Sequence, residues 1–177
     1  MIFTKTHLEG AYIIDMQPIE DNRGWFSRAF CKREFEENGL CGDFVQHNMS
    51  YNKQIGTIRG MHFQRPPYEE IKVVQCIKGK ILDVIIDIRE DSDTYLKWLS
   101  VELCENNRQM LYVPKGFAHG YQTLCDDTVV FYLVSEFYKK DSEGGLRFDD
   151  ETIGIKWPIN HNIIISEKDA GFSLLKT

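Results

Sequence analysis

The chain has 177 residues, with 27 acidic and 21 basic side chains, and its formal net charge at pH 7 is −6. This length predicts one domain, residues 1–177, and the acidic balance argues against nucleic-acid and membrane-surface partners, because proteins that bind them present a basic face. No apolar run approaches the ~20 residues that cross a bilayer, and residues 1–7 lack the apolar core of a signal peptide.

The first predicted element is a helix at residues 32–38, which Gly39 ends. The strongest periodic signal follows, between residues 72 and 134, and its period is two. A run at 73–77 and a run at 80–89 read as two strands of a hairpin. Further strands are predicted at residues 95–103, 109–113, 120–124 and 128–134, and a short helix is predicted near residue 166 with Ser166 as its N-cap. Many short strands with few helices predict an all-β sandwich or barrel.

The strand at residues 80–89 has a mixed second face. Leu82, Val84, Ile86 and Ile88 share one face, whereas Asp83, Ile85, Asp87 and Arg89 fall on the other. A wide barrel can hold a ligand inside, so Asp83 and Asp87 either line a pocket or face solvent. The pattern alone leaves both interpretations open.

Two of the five histidines occur in unusual settings. His119 ends the motif P-x-G-x-x-H at residues 114–119, which is typical of cupin barrels and often supplies a metal ligand there. The companion H-x-H motif is incomplete, because Gln64 stands where the second imidazole would be. His62 is therefore available for proton transfer. The five cysteines form no C-x-x-C pair, so we expect reduced thiols and a cytoplasmic location.

Several segments together resemble the dTDP-4-dehydrorhamnose 3,5-epimerase family, and the resemblance runs from residues 21–24 (DNRG) to 166–169 (SEKD). Between these ends it is carried by residues 59–64 (RGMHFQ), 72–74 (KVV), 83–89 (DVIIDIR), 112–120 (YVPKGFAHG), 131–132 (FY) and 154–158 (GIKWP). Each motif is weak alone, but all of them occur in family order. The resemblance implies a jelly-roll, cupin-like β-barrel with a few short peripheral helices, a homodimer, and no metal or organic cofactor.

The resemblance also implies the reaction. The family acts on a nucleoside-diphosphate 4-keto-6-deoxy sugar and inverts the carbons on both sides of the ketone, which in bacteria feeds rhamnose-type sugars into surface polysaccharide. His62 matches the base, Asp169 the carboxylate that orients it, and Tyr132 the acid on the opposite face. Lys72 matches the cation beside the developing oxyanion, and we expect Asp83 to be its partner.

The same resemblance implies a set of substrate-binding residues. They are Arg23, Arg59 and Lys168 for the pyrophosphate, Tyr138 for stacking on the base, and Phe26, Gln46, Asn48, His119 and Glu143 as further contacts. Arg28 departs from the family pattern, because a glutamate that contacts the ligand is common at this position. The charge reversal leaves the nucleotide open between dTDP and CDP.

Other functions remain open. One alternative within the family is an epimerase that acts at C3 or C5 only, or on a CDP-sugar. An alternative of another class is a metal-dependent cupin oxygenase or isomerase that uses His62, His119 and either Glu69 or Glu70. A sugar-binding cupin without activity is disfavoured, because binding alone needs neither an acid nor a base.

Overall fold

A computed structural model describes residues 1–175 of the chain. Its elements in chain order are β1 (Ile2–Lys5), β2 (Tyr12–Asp15), β3 (Ile19–Asp21), β4 (Gly24–Phe26), α1 (Lys32–Glu37), β5 (Gln46–Asn52), β6 (Ile58–Gln64), β7 (Lys72–Lys78), β8 (Lys80–Asp87), β9 (Trp98–Cys104), β10 (Gln109–Val113), β11 (Phe117–Thr123), β12 (Thr128–Val134), a 3-10 turn (Lys140–Ser142), β13 (Glu143–Gly145) and α2 (Glu167–Ala170). Within residues 1–175, no helix is long and apolar enough to cross a membrane.

The strands form two large antiparallel sheets and one small hairpin. One sheet has the order β1-β2-β10-β7-β12-β5, the other has the order β13-β6-β11-β8-β9, and β3 pairs only with β4. β7 and β8 are neighbours in sequence but lie in different sheets, so the predicted hairpin between these two strands is wrong. Such crossings from one sheet to the other are typical of a jelly roll. The expectation of an all-β jelly-roll barrel with a few short helices is confirmed.

The core between the two sheets follows from the period-two pattern. Ile81 and Ile85 of β8 pack inward against Val74 of β7 and Val130 of β12. The opposite face of β8 is also covered, because Val84 and Ile86 pack against Ile153 from the C-terminal segment. Strand β8 is therefore covered on both faces.

Asp87 neither lines one of the two pockets described below nor faces solvent, so both interpretations of this residue are wrong: it is fully buried and holds a loop. Its carboxylate accepts hydrogen bonds from Arg89 Nε at 2.9 Å, Ser92 Oγ at 2.6 Å and Thr94 Oγ1 at 2.6 Å. This network ends β8 at Asp87 and delays the next strand to Trp98. The predicted strands at 80–89 and 95–103 are therefore each too long at the loop between them.

The two predicted helices are present. The first spans Lys32–Glu37 and packs Phe35 under the outer face of the six-stranded sheet, and Gly39 follows it with φ 73°. A positive φ is easy for glycine alone, so this residue ends the helix as expected. The second begins after Ser166, whose Oγ accepts a hydrogen bond from the Asp169 N–H at 3.1 Å. This N-cap fixes the position of Asp169, which the site uses.

Candidate functional site

Two adjoining pockets open at one end of the barrel, and three side chains line both of them. These are His62 on β6, Lys72 on β7 and Tyr132 on β12. The larger pocket lies towards β5 and the segment that follows β12. The smaller one lies towards β11 and is also lined by Ser50, Arg59, His119 and Tyr121. Strands from both sheets thus meet around one set of titratable groups.

His62 and Asp169 form a hydrogen-bonded pair although 107 residues separate them. His62 Nε2 lies 2.8 Å from Asp169 Oδ1, and the Gly60 N–H donates to Asp169 Oδ2 at 3.0 Å. The His62 side chain is 33% exposed, whereas that of Asp169 is 6% exposed. Burial alone would raise the pKa of Asp169, but the hydrogen bonds from His62 and Gly60 hold that pKa below its usual value. Asp169 is therefore a buried anion that orients a reachable imidazole.

Tyr132 lies on the inner face of β12, opposite Val74 on one side and Asn48 on the other. Burial raises the pKa of its phenol, and the positive charge of Arg59 opposes that rise. The phenol therefore keeps its proton at neutral pH. It can act as a donor towards the shared pocket.

Lys72 is paired with Glu70, not with Asp83 as expected. Lys72 Nζ lies 3.0 Å from Glu70 Oε1, and the two side chains are only 12% and 8% exposed. Asp83 instead contacts His119, with 2.7 Å between Oδ1 and Nε2. Asp83 and His119 lie on neighbouring strands of the five-stranded sheet, whereas Glu70 precedes Lys72 by two residues in the same segment.

Several of the predicted binding residues line the larger pocket: Gln46, Asn48, Tyr138 and Glu143. Tyr138 anchors the group, since its N–H donates to Gln46 Oε1 at 2.8 Å and its hydroxyl donates to Glu143 Oε2 at 3.1 Å. Lys168 also contacts Glu143. Burial would raise the pKa of Glu143, but the hydrogen bonds from Lys168 and Tyr138 lower it below its usual value.

Arg59 and His119 belong to the smaller pocket. Arg59 donates from Nε to Asn52 Oδ1 at 2.7 Å and from Nη2 to the Tyr51 carbonyl at 3.3 Å. These contacts hold its guanidinium at the rim of the pocket. A cation in this position can meet an anionic part of a ligand.

Arg23, Phe26 and Arg28 do not line either of these pockets. Arg23 is 85% exposed and pairs with Asp21 at 2.6 Å. Phe26 is 72% exposed at the end of the β3–β4 hairpin. Arg28 pairs with Glu34 at 2.8 Å and, with Phe26, lines a separate depression. One copy of the chain therefore does not bring these three residues to the candidate site.

Seven residues that line the two pockets were not predicted as site residues: Phe63, Gln64, Glu70, Val134 and Glu136 in the larger pocket, and Ser50 and Tyr121 in the smaller one. Ser50 Oγ and the Tyr121 hydroxyl lie 2.6 Å apart in the wall of the smaller pocket. Glu70 was considered only as an alternative metal ligand. Its position two residues before Lys72 was the available signal, because side chains two apart on an extended chain share a face.

The residues of the metal-dependent alternative are engaged in other contacts. Both histidines direct Nε2 at an aspartate, His62 at Asp169 and His119 at Asp83. Glu70 is paired with Lys72. The side chains that could have formed a ligand set therefore belong to three separate pairs. Similarity to known proteins bears directly on the choice between the two functions.

A jelly roll with a histidine–aspartate pair, a tyrosine and a lysine around one pocket defines an acid–base enzyme of the cupin type. The family model described as dTDP-4-dehydrorhamnose 3,5-epimerase matches residues 5–177. A relative of that name from Methanothermobacter thermautotrophicus is 43% identical over 176 residues, which cover 98% of this chain and 94% of the relative. The chain belongs to the dTDP-4-dehydrorhamnose 3,5-epimerase family, and it is an isomerase.

Solved structures agree with this assignment. The Bacillus anthracis dTDP-4-dehydrorhamnose 3,5-epimerase, solved with TDP and pyrophosphate bound, matches with a TM-score of 0.95 at 39% identity, covering 98% of this chain and 99% of that one. The Legionella pneumophila 3,5-epimerase, solved in complex with dTDP-4-keto-L-rhamnose, matches with a TM-score of 0.92 at 33% identity, covering 98% and 92%. The similarity therefore extends over the whole barrel.

Proposed function

We propose that this chain epimerises C3 and C5 of dTDP-4-dehydro-6-deoxy-D-glucose and so forms dTDP-4-dehydro-L-rhamnose without a cofactor. The observation that carries the proposal is the placement of His62, Lys72 and Tyr132 around one pocket, with Asp169 behind His62. Family membership supplies the substrate class. The ligands printed for the two solved relatives, TDP and dTDP-4-keto-L-rhamnose, support the nucleotide and the sugar.

The first step is removal of a proton from a carbon next to the ketone. Ionised Asp169 can only accept hydrogen bonds, so the His62 Nε2 that faces it carries a hydrogen. Nδ1 is then the basic nitrogen and takes the substrate proton as the C–H electron pair moves into the enolate. The imidazolium that forms is stabilised by the buried carboxylate, as in other oriented histidine bases.

The second step returns a proton to the opposite face of the same carbon. The enolate oxygen needs a positive partner while the charge is present, and Lys72 has N–H donors to offer it. Tyr132 then donates its phenolic proton to carbon, because a phenol is a far stronger acid than the C–H bond it re-forms. Before the second carbon reacts, His62 releases its extra proton to solvent and Tyr132 takes one back; the same sequence then inverts the second centre.

The nucleotide half of the substrate belongs at the open side of the larger pocket. Tyr138 is exposed there and offers a face on which a base can stack. Arg59 and Lys168 supply cations for the pyrophosphate, and Gln46, Asn48, His119 and Glu143 supply polar contacts. This arrangement supports a nucleoside-diphosphate sugar as the partner of an acidic protein.

A homodimer is part of the proposal. The β3–β4 hairpin exposes Ile19 and Phe26, and the outer face of β5 exposes Met49 and Tyr51. Large exposed apolar side chains often mark a protein interface. In a dimer, the hairpin of one copy would bring its Arg23, Phe26 and Arg28 to the pocket of the other, which reconciles their family role with their distance from the pocket of their own copy.

We also propose that residues 1–177 act as one domain, since both large sheets line the same pockets; residues 176 and 177 lie outside the described part. A cytoplasmic location accords with the free thiols of the chain, because a reducing compartment preserves them.

A coupled assay tests the proposed reaction. The purified chain is incubated with dTDP-4-dehydro-6-deoxy-D-glucose, an NADPH-dependent reductase specific for the doubly inverted sugar, and NADPH. We expect NADPH consumption that depends on this chain and yields dTDP-L-rhamnose. Consumption only with the CDP-sugar would move the assignment to the CDP alternative, and a product inverted at one carbon would move it to the single-carbon alternative.

A further inference from the structure

The pair formed by Glu70 and Lys72 has no assigned role in the reaction described above, although it forms part of the pocket wall. The Lys72 side chain is 12% exposed and the Glu70 side chain is 8% exposed, and both line the larger pocket. A buried ion pair adds little net stability, because the cost of desolvation offsets the attraction between its charges. Its position beside His62 and Tyr132 points to the chemistry instead.

The two side chains depend on each other. Glu70 Oε1 lies 3.0 Å from Lys72 Nζ, and among residues 1–175 the buried Glu70 Oε2 has no hydrogen-bond partner. Within this part of the chain, Lys72 is therefore the group that holds the carboxylate in place. Conversely, the long and flexible lysine side chain needs an anchor to keep its ammonium at one point of the wall.

We propose that Glu70 is a positioning residue: it fixes the ammonium of Lys72 beside the point where the enolate oxygen forms, and it acts through Lys72 without touching the substrate. The ammonium of Lys72 has three N–H donors, so its ion pair with Glu70 leaves donors for the ketone oxygen. The inference rests on the proposed function, since it assigns Lys72 the enolate oxygen as its target. It also replaces Asp83, which serves His119, as the partner of Lys72.

A cycle of variants tests this inference on the full-length protein. Glu70→Ala and Lys72→Met are made singly and together, and the rate of deuterium exchange into the sugar is measured at saturating substrate. We expect Glu70→Ala to lower this kcat about 10- to 100-fold, the range that a misplaced catalytic group produces. The dissociation constant for dTDP alone should stay unchanged, because the nucleotide binds away from Lys72.

The decisive comparison is between the loss of kcat that Glu70→Ala causes in the unsubstituted chain and the loss that it causes in the Lys72→Met chain. If Glu70 acts through Lys72, adding Glu70→Ala to Lys72→Met causes no further loss of kcat. The same fold loss in both backgrounds, or a Glu70→Ala variant with an unchanged rate, would overturn the proposal. If Glu70→Ala does not fold, Glu70→Gln in the same two backgrounds is judged by the same rule; its amide oxygen still accepts a hydrogen bond, so its loss should be smaller.

The matched control is Glu69→Ala, which removes the neighbouring carboxylate that lines neither pocket. It should exchange deuterium at the rate of the unsubstituted chain.

The same measurements distinguish failure of this inference from failure of the proposed function. If the unsubstituted chain exchanges no deuterium with the dTDP-sugar, the proposed function is wrong; if it exchanges normally and the cycle is additive, only the role of Glu70 is wrong.

Discussion

His62 and His119 lie directly opposite each other on β6 and β11, and each directs Nε2 at its own aspartate. The two pairs differ in access, because the His62 side chain is one-third exposed whereas His119 is 10% exposed above a fully buried Asp83. Only the first pair offers a base that a sugar carbon can reach. The contrast supports assigning proton abstraction to His62 and a contact role to His119.

Replacing His62 with alanine tests that assignment. Loss of a general base costs about 10²- to 10⁴-fold in rate, so His62→Ala should slow proton exchange at both carbons by about that factor. Binding of dTDP, measured by calorimetry, should remain close to normal because the imidazole lies at the sugar end of the pocket. Near-normal turnover in this variant would show that another group is the base.

Tyr132→Phe separates proton removal from inversion. The change deletes the acidic hydroxyl and leaves the volume of the ring, so the barrel should keep its stability. His62 still removes a proton and returns one from solvent to the same face, and we expect deuterium incorporation without a change in configuration. NMR of the recovered sugar distinguishes the outcomes. Full epimerisation by Tyr132→Phe would rule out the phenol as the acid.

A mixing experiment tests the dimer. Arg23→Ala alone should raise KM while leaving kcat nearly unchanged, because the guanidinium is expected to bind the substrate without reacting with it. When Arg23→Ala chains are mixed with His62→Ala chains and allowed to exchange subunits, a mixed dimer contains one site with an intact His62 and the partner's intact hairpin. That site should recover the KM of the unsubstituted protein. If mixing recovers nothing, the hairpin does not serve the partner's pocket.

Asp87 links the stability of the barrel to pH. Burial alone would raise its pKa, but hydrogen bonds from Arg89, Ser92 and Thr94 hold the pKa at about 2, against an ordinary 3.8. The carboxyl therefore stabilises the fold above about pH 4, and the contribution, about 2 kcal/mol, is lost as the pH falls through 2.

Asp87→Asn should accordingly lower the free energy of unfolding at pH 7 by about 2 kcal/mol, and by much less near pH 2. Urea denaturation at the two pH values measures both numbers. Asp91→Asn, in the exposed part of the same loop, is the control and should change neither. An equal loss for Asp87→Asn at both pH values would contradict the link to ionisation.

The sequence predicted the fold well because its period-two pattern is local. The alternation in β8 already separated Ile85 from Val84 and Ile86, and the structure places them on opposite faces as expected. The partner of Lys72 was predicted wrongly, although the position of Glu70 two residues before Lys72 was a local signal for the pair that forms. That Asp83 instead meets His119 depends on the pairing of β8 with β11, which no local pattern contains.

The predicted substrate-binding residues form two groups: those that the structure places at the pocket and those that it places elsewhere. All of them were selected by family resemblance. Gln46 and Asn48 lie two apart on β5 and line the larger pocket, whereas a single copy of the chain holds Arg23, Phe26 and Arg28 away from it. In the proposed dimer these three residues would reach the pocket of the second chain, a placement that local patterns in one sequence do not contain.

Deuterium uptake tests the central claim most directly. The purified chain is incubated in heavy water with dTDP-4-dehydro-6-deoxy-D-glucose, and the positions of the label are read by NMR, with His62→Ala as the control. The account predicts deuterium at both C3 and C5, inversion at both carbons, and far slower labelling with the control. Absence of label from both carbons in the unsubstituted protein would contradict it.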